Sequence, residues 1–110
     1  MRIAILGAGI AGLSVLSEFS NKYQCDVYEE TDTVGGVWNT SYQNQIQLQI
    51  EPRIYRFPTD TSFPQSRNGV DVQRYLEDYV VRRNLRRFIR FNTRVIDVQM
   101  LKYGYWLTVQ

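Results

Sequence analysis

Gly7, Gly9 and Gly12 stand in the order G-x-G-x-x-G between a short apolar run and an amphipathic one, and this placement restricts the fold more than any other feature. Ile3, Ala4, Ile5 and Leu6 form a branched apolar run closed by glycine, which predicts a strand buried on both faces of a parallel sheet. Across Ile10 to Phe19, Leu13, Leu16 and Phe19 recur at helical spacing, with Asn21 as the stop signal. Cys25 to Glu29 supplies a second strand, rich in extended-structure formers at Val27 and Tyr28. Strand, helix and strand within about thirty residues make a βαβ unit. The predicted class is therefore α/β, a Rossmann-type βαβ domain built on a parallel sheet.

Each glycine of the fingerprint has its own steric task. Gly7 permits the tight turn, Gly9 leaves room for a diphosphate, and Gly12 lets helix and strand pack closely. The turn meets a helix amino terminus, whose free amides and dipole favour an anion. Ala8, Ile10 and Ala11 share that turn and join the candidate cofactor-binding residues. The same logic asks for an acid about twenty residues onward, at the end of the second strand, to accept hydrogen bonds from a ribose hydroxyl. Glu29 stands 17 residues after Gly12, with Glu30 as its rival; alternation along a strand lets only one face the nucleotide. No arginine follows immediately to hold a 2′-phosphate. The competing explanation is a glycine turn in an unrelated α/β domain, which the register of strand, helix and acid argues against.

Residues 31–45 and 52–69 read as loops, the first carrying a Gly-Gly pair and the second all three prolines. Ile46, Leu48 and Ile50 alternate with glutamines, which predicts a short strand. Val72, Tyr75, Leu76, Tyr79 and Val80 follow Asp71 at helical spacing, predicting a helix to about Asn84. Val95 to Val98 and Tyr105 to Val109 predict two strands joined by a tight turn at Tyr103 and Gly104. With 110 residues and 44% hydrophobic content the chain suits one folded domain with a single core. There is no histidine, and the lone Cys25 has no partner for an internal disulfide, so common zinc sites and His-based triads are excluded. Redox chemistry would have to come from a bound cofactor. The apolar stretch from Ile3 to Val15 is interrupted by glycines and falls short of the roughly 20 residues that cross a bilayer. No transmembrane segment or targeting signal is read, which favours the cytoplasm.

Gly35, Gly36, Val37 and Trp38 continue the pattern as E-x-x-x-x-x-G-G-x-W counted from Glu29. In this setting the chain resembles FAD-binding flavoproteins, specifically the flavin-containing monooxygenases and the plant auxin-forming monooxygenases similar to them. The likeness runs on through Leu48, Gln49 and Ile50, then Tyr55 to Pro58 and the Ser62, Phe63, Pro64 turn, and covers essentially the whole chain. It implies that Gly7, Gly9, Gly12 and Glu29 hold the ADP half of FAD, that Gly35, Gly36, Trp38, Leu48 and Gln49 approach the remainder, and that backbone near Val95 lies against the adenine. Many family members carry asparagine where Gln49 stands, near the flavin, so the amide here is displaced outward by a methylene. No residue reads as a catalytic acid or base.

The resemblance also implies NADPH as hydride donor and a small-molecule substrate for the complete enzyme, of which this chain would be about the first third. Read this way, the Rossmann-type sheet is incomplete relative to the full family fold, and its open edge invites a complementary chain or a homo-dimer. Two rivals stand beside the monooxygenase: a non-catalytic nucleotide-binding module or remnant, and an NAD(P)-linked reductase segment, against which the Gly-Gly-Trp motif argues. Residues 61–110 carry nine basic and four acidic side chains, and six arginines, Arg82, Arg83, Arg86, Arg87, Arg90 and Arg94, fall within thirteen residues. Leu85, Phe88, Ile89 and Phe91 interleave with them, so the cluster reads as the solvated outside of a helix end and loop, with no nucleic acid as partner.

Overall fold

The computed structural model of the protein describes residues 1–39 and 46–110. Strand β1 (Arg2–Leu6), helix α1 (Ile10–Phe19) and strand β2 (Gln24–Tyr28) follow one another as the pattern predicts. β2 lies parallel to β1, in register from Arg2 opposite Gln24 to Leu6 opposite Tyr28. The helix stops two residues before Asn21, and the amides of Lys22 and Tyr23 both return to the Phe19 carbonyl to turn the chain.

Helix α2 (Gly69–Arg82) starts where the Asn68 side chain accepts the Val70 N–H at 2.8 Å, with Asp71 in its first turn and Arg82 in its last, both matched to the helix dipole. It ends short of the predicted Asn84 because that residue takes φ +53, in the left-handed region, and the Leu85 N–H closes the turn onto Val80. Its apolar stripe of Val72, Tyr75, Leu76, Tyr79 and Val80 is buried. Phe57 stacks on Tyr79 with ring centroids 3.7 Å apart, and Tyr79 shares a 2.6 Å hydrogen bond with Ser17, joining α2 to α1. Burying a side chain such as Phe57 stabilises the fold by about 1.5–3 kcal/mol.

Three sequence expectations change. The predicted strand at 46–50 reduces to a single bridge, Gln47 opposite Asn68, flanked by hydrogen bonds from Leu48 to Arg67 and from Gly69 to Ile46. Beyond Leu48 the chain bends into turns closed by Ile54 N–H on Glu51 and Tyr55 N–H on Pro52, so among the described residues the alternation finds no further strand to pair with. A strand that was not predicted, β3 (Ile89–Arg90), lies parallel to β2 within the arginine-rich stretch and gives the order β1-β2-β3. β1 is also not buried on both faces. Ile5, Cys25 and Val27 are buried, whereas Arg2, Ala4 and Leu6 are exposed. The open face carries charge instead of apolar contact: Asp26 accepts from Arg2 at 2.9 Å and from Arg90 at 3.3 Å.

Strands β4 (Val95–Leu101) and β5 (Gly104–Val109) form the predicted hairpin, with a register shift between Val95 and Asp97. Tyr103 to Leu107 face the open side of the sheet across a groove shared with Arg2, Ala4, Asp26 and Tyr28. Met100, Tyr103, Tyr105 and Trp106 remain exposed. Among the described residues the α/β class and parallel sheet are as predicted, and no helix is long and apolar enough to cross a membrane. The predicted loop at 31–45 lies in its last six positions outside the described residues.

Asp60 anchors the proline-rich loop to α2. Its carboxylate accepts from Tyr75 at 2.8 Å and from both Arg82 guanidinium nitrogens at 3.1 Å, while the Tyr75 oxygen accepts the Phe57 N–H at 2.9 Å. Burial alone would raise its pKa, but hydrogen bonds from Arg82, Tyr75 and the Ser62 amide, with the charge of Arg82, bring it below the ordinary carboxylate value. A depressed folded-state value means that Asp60 stabilises the fold above the ordinary carboxylate range and stops doing so as pH falls through its own lower value. Asp60→Asn should therefore lose about 1–3 kcal/mol near neutral pH. In thermal melts between pH 7 and pH 2, the variant should also lose less stability on acidification than the parent. Equal acid slopes would remove Asp60 from this role.

Candidate functional site

The fingerprint turn is held from three sides. The Gly7 N–H donates to the Tyr28 carbonyl at 2.9 Å, tying the turn to the end of β2. A Cβ on Gly12 would run into the Gly7 carbonyl oxygen and come within 3.1 Å of its carbon and 3.3 Å of Ile5 Cγ2, so only glycine lets α1 seat against β1. From the third side, the Gly35 N–H donates to the Ala8 carbonyl at 2.9 Å, and a Cβ on Gly36 would sit 3.2 Å from Gly9 Cα. The two glycine turns, far apart in sequence, pack back to back.

Gly9 is the residue that caps α1, and it has no side chain with which to satisfy the first-turn amides. The first amide returning to it is that of Leu13, at 2.9 Å, so the N–H groups of Ile10, Ala11 and Gly12 have no carbonyl of their own helix to meet. This is the anion-receptive arrangement that the glycine spacing predicts.

Glu29 is 6% exposed and faces the same turn, while Glu30 is exposed, as alternation along the strand end requires. Glu29 Oε1 accepts the Ala8 N–H at 2.8 Å, and Oε2 accepts both the amide and the hydroxyl of Thr31 at 2.8 Å. With three bonds accepted out of about four available lone-pair directions, Oε1 keeps one for a further donor. Glu30 pairs with Arg94 at 3.8 Å on the rim.

These groups surround a cleft of about 360 Å³ between the glycine turn, the end of β2 and the start of β4, lined by Gly7, Gly9, Glu29, Gly36, Arg94 and Val95 among others. The segment bearing Thr93, Arg94 and Val95 gets there because Glu29 N–H donates to Arg90, Asn92 N–H to Thr31 and Thr93 N–H to Glu29, each at 2.9 Å. Thr31, Thr93 and Arg94 were not singled out from sequence as site residues; the signal lay in β3, whose two residues were hidden in the arginine run.

The remaining candidates lie apart from this lining. Trp38 is buried in the core, donating its indole N–H to the Tyr55 hydroxyl at 2.9 Å, and Leu48 is buried near it. Val37 and Gln49 are exposed, while Gly35 lies beneath the cleft against α2. The arginines are engaged within the molecule: Arg82 with Asp60, Arg90 with Asp26, and Arg86 and Arg87 over the rings of Phe91 and Phe88 at 4.8 and 4.7 Å.

A family model described as an NAD(P)-binding Rossmann-like domain matches residues 5–79, which takes in the glycine turn, Glu29, the second glycine turn and most of α2. The chain belongs to that family. It is 33% identical to an Arabidopsis thaliana protein named flavin-containing monooxygenase 2, over 94% of this chain and 23% of that one. It is 25% identical to FAD-binding monooxygenase tazF of Aspergillus terreus, over 90% of this chain and 19% of that one. The solved structure of an oxidised steroid monooxygenase bound to NADP superposes with a TM-score of 0.84 at 27% identity, over 98% of this chain and 23% of that one. The chain thus spans 19–23% of these relatives' lengths, less than the third expected from sequence. The resemblance to flavin-containing monooxygenases holds.

Gly12→Ala tests the seat of α1. Overpacking against backbone cannot be relieved by a rotamer change, so the variant should lose about 3 kcal/mol or more in denaturant unfolding. Gly104→Ala, whose Cβ would meet nothing within 4 Å among the described residues, should stay within about 0.5 kcal/mol of the parent. Similar losses for both would contradict the close packing at Gly12.

Proposed function

We propose that this chain forms the FAD-binding part of an NADPH-using, flavin-dependent monooxygenase, and that the cleft beside Glu29 takes the ADP half of the cofactor. The observation that carries the reading is the joint arrangement of uncapped α1 amides and a buried Glu29 with a spare lone pair on one cleft, in a chain related along its length to proteins named as flavin-containing monooxygenases. Ile10, Ala11 and Gly12 would donate to the diphosphate from the first turn of α1, and Glu29 would accept from a ribose hydroxyl. Gly9 and Gly36 would let backbone approach closely, and Val95 would border the adenine. Trp38, Leu48 and Gln49 would act from further along the cofactor, with Trp38 working through the core it packs in.

Bound there, FAD would supply the two-electron redox chemistry that no side chain of this sequence provides. The residues themselves bind and orient. The full-length protein would act on a small-molecule substrate. The exposed outer edge of β1 and the apolar hairpin side chains further support a complementary chain, or a second copy, as the covering partner.

The purified chain is mixed with FAD, freed of excess and examined by absorbance and light scattering, with Gly9→Val and Glu29→Gln alongside. The parent should keep a flavin band, and each variant should bind at least about tenfold more weakly. A mass near twice the 13.0 kDa of one chain supports self-pairing, and a mass near that of one chain removes the homo-dimer. A colourless parent that instead holds NADPH would favour the reductase reading, and a parent that holds neither would sink both.

A further inference from the structure

One polar side chain reaches the back of this cradle from α2. Gln73 is 5% exposed and lies in the buried face of the helix beside Val72 and Leu76. Its Nε2 donates to the Val34 carbonyl at 2.6 Å and to the Glu77 carboxylate at 2.9 Å. Both partners are acceptors, which fixes the amide's orientation: turned over, its oxygen would face a carbonyl and a carboxylate. In consequence Oε1 is buried with no hydrogen-bond partner among the described residues. An unsatisfied buried oxygen is unfavourable, and a methionine would fill much the same volume without one. Packing alone therefore does not call for glutamine at this position.

What the amide does is hold the second glycine turn. Gly35 takes φ +126, a conformation that strains any side chain, and a Cβ there would overlap Gln73 Oε1 and lie 2.7 Å from Cδ. The held turn is the one whose Gly35 N–H donates to Ala8 and whose Gly36 abuts Gly9. Ala8 is in turn bonded to Glu29. The contacts run without a break from Glu77 through Gln73, Val34 and Gly35 to the fingerprint turn.

We propose that Gln73 is a positioning residue for the nucleotide cradle: its amide fixes the Val34-Gly35-Gly36 turn, and through it the seat of the Ala8-Gly9 turn from which the first α1 amides reach the diphosphate. Glu77, exposed on the next turn of α2, orients that amide. This rests on the FAD reading above.

The test uses the full chain with FAD as the probe, comparing Gln73→Met and Glu77→Ala with the parent. Ligand-free melting midpoints should stay within about 3 °C for Gln73→Met, because methionine conserves volume and exchanges one unpaired buried oxygen, Gln73 Oε1, for another, the Val34 carbonyl. FAD affinity should fall about tenfold in Gln73→Met and about threefold in Glu77→Ala. The ligand-free amide resonances of Ala8, Gly9, Gly35 and Gly36 should shift in both variants, a local signature that a general loss of stability would not produce. Affinities within twofold of a parent that does retain FAD would overturn the positioning role and leave the FAD site standing. If Gln73→Met does not fold, an unchanged affinity in Glu77→Ala overturns it alone. A parent that retains no FAD overturns the site and this role together.

Discussion

A hydrogen at Gly12, where any other residue would carry a Cβ, lets the first turn of α1 settle onto the Gly7 carbonyl at the end of β1. Much of the cradle's geometry follows from that contact. With α1 seated, its unsatisfied amides point along the carboxyl ends of β1 and β2, where crevices form in open α/β sheets. Gly7 can then bond to Tyr28, Ala8 to Glu29, and Gly35 to Ala8, so three chain segments meet on one turn. Glu29 serves two purposes there. Its carboxylate closes the fingerprint onto β2 and, lining the cleft, still keeps an acceptor direction free.

What could be read from the sequence was what is local. The βαβ unit, the α2 stripe and the hairpin each declare themselves through periodicity within ten or so residues, and the glycine fingerprint locates the cradle because each glycine answers a short-range steric demand. What escaped was set by distant partners. Ile89 and Arg90 form a strand only because β2 offers a free edge, and neither the two-residue length nor the surrounding arginines signals it. Thr93 and Arg94 reach the cleft by way of that strand. Ile46, Leu48 and Ile50 alternate as a strand would, but the partner segment before α2 meets them at one bridge only. Gln73 had no sequence signal at all, since a glutamine in an amphipathic helix is expected to face solvent.

The sheet is sheltered on one side and open on the other. Ile5, Cys25 and Val27 pack beneath the helices, whereas Arg2, Asp26 and Arg90 form a charged ladder on the far face, partly overlooked by the hairpin. Two-stranded ribbons have little stability of their own. Met100, Tyr105 and Trp106 stay exposed on this ribbon, which pairs only its own two strands among the described residues.

The most direct measurement follows backbone amide resonances of the chain while ADP, and separately FAD, is added. A cradle built as described predicts saturable shifts confined to residues 7–12, Glu29, Thr31, Gly36 and 93–95 with ADP, and a wider set extending along the second glycine turn with FAD. Shifts that fail to saturate, or that centre on the hairpin groove instead of the fingerprint turn, would contradict a dinucleotide site at the amino terminus of α1.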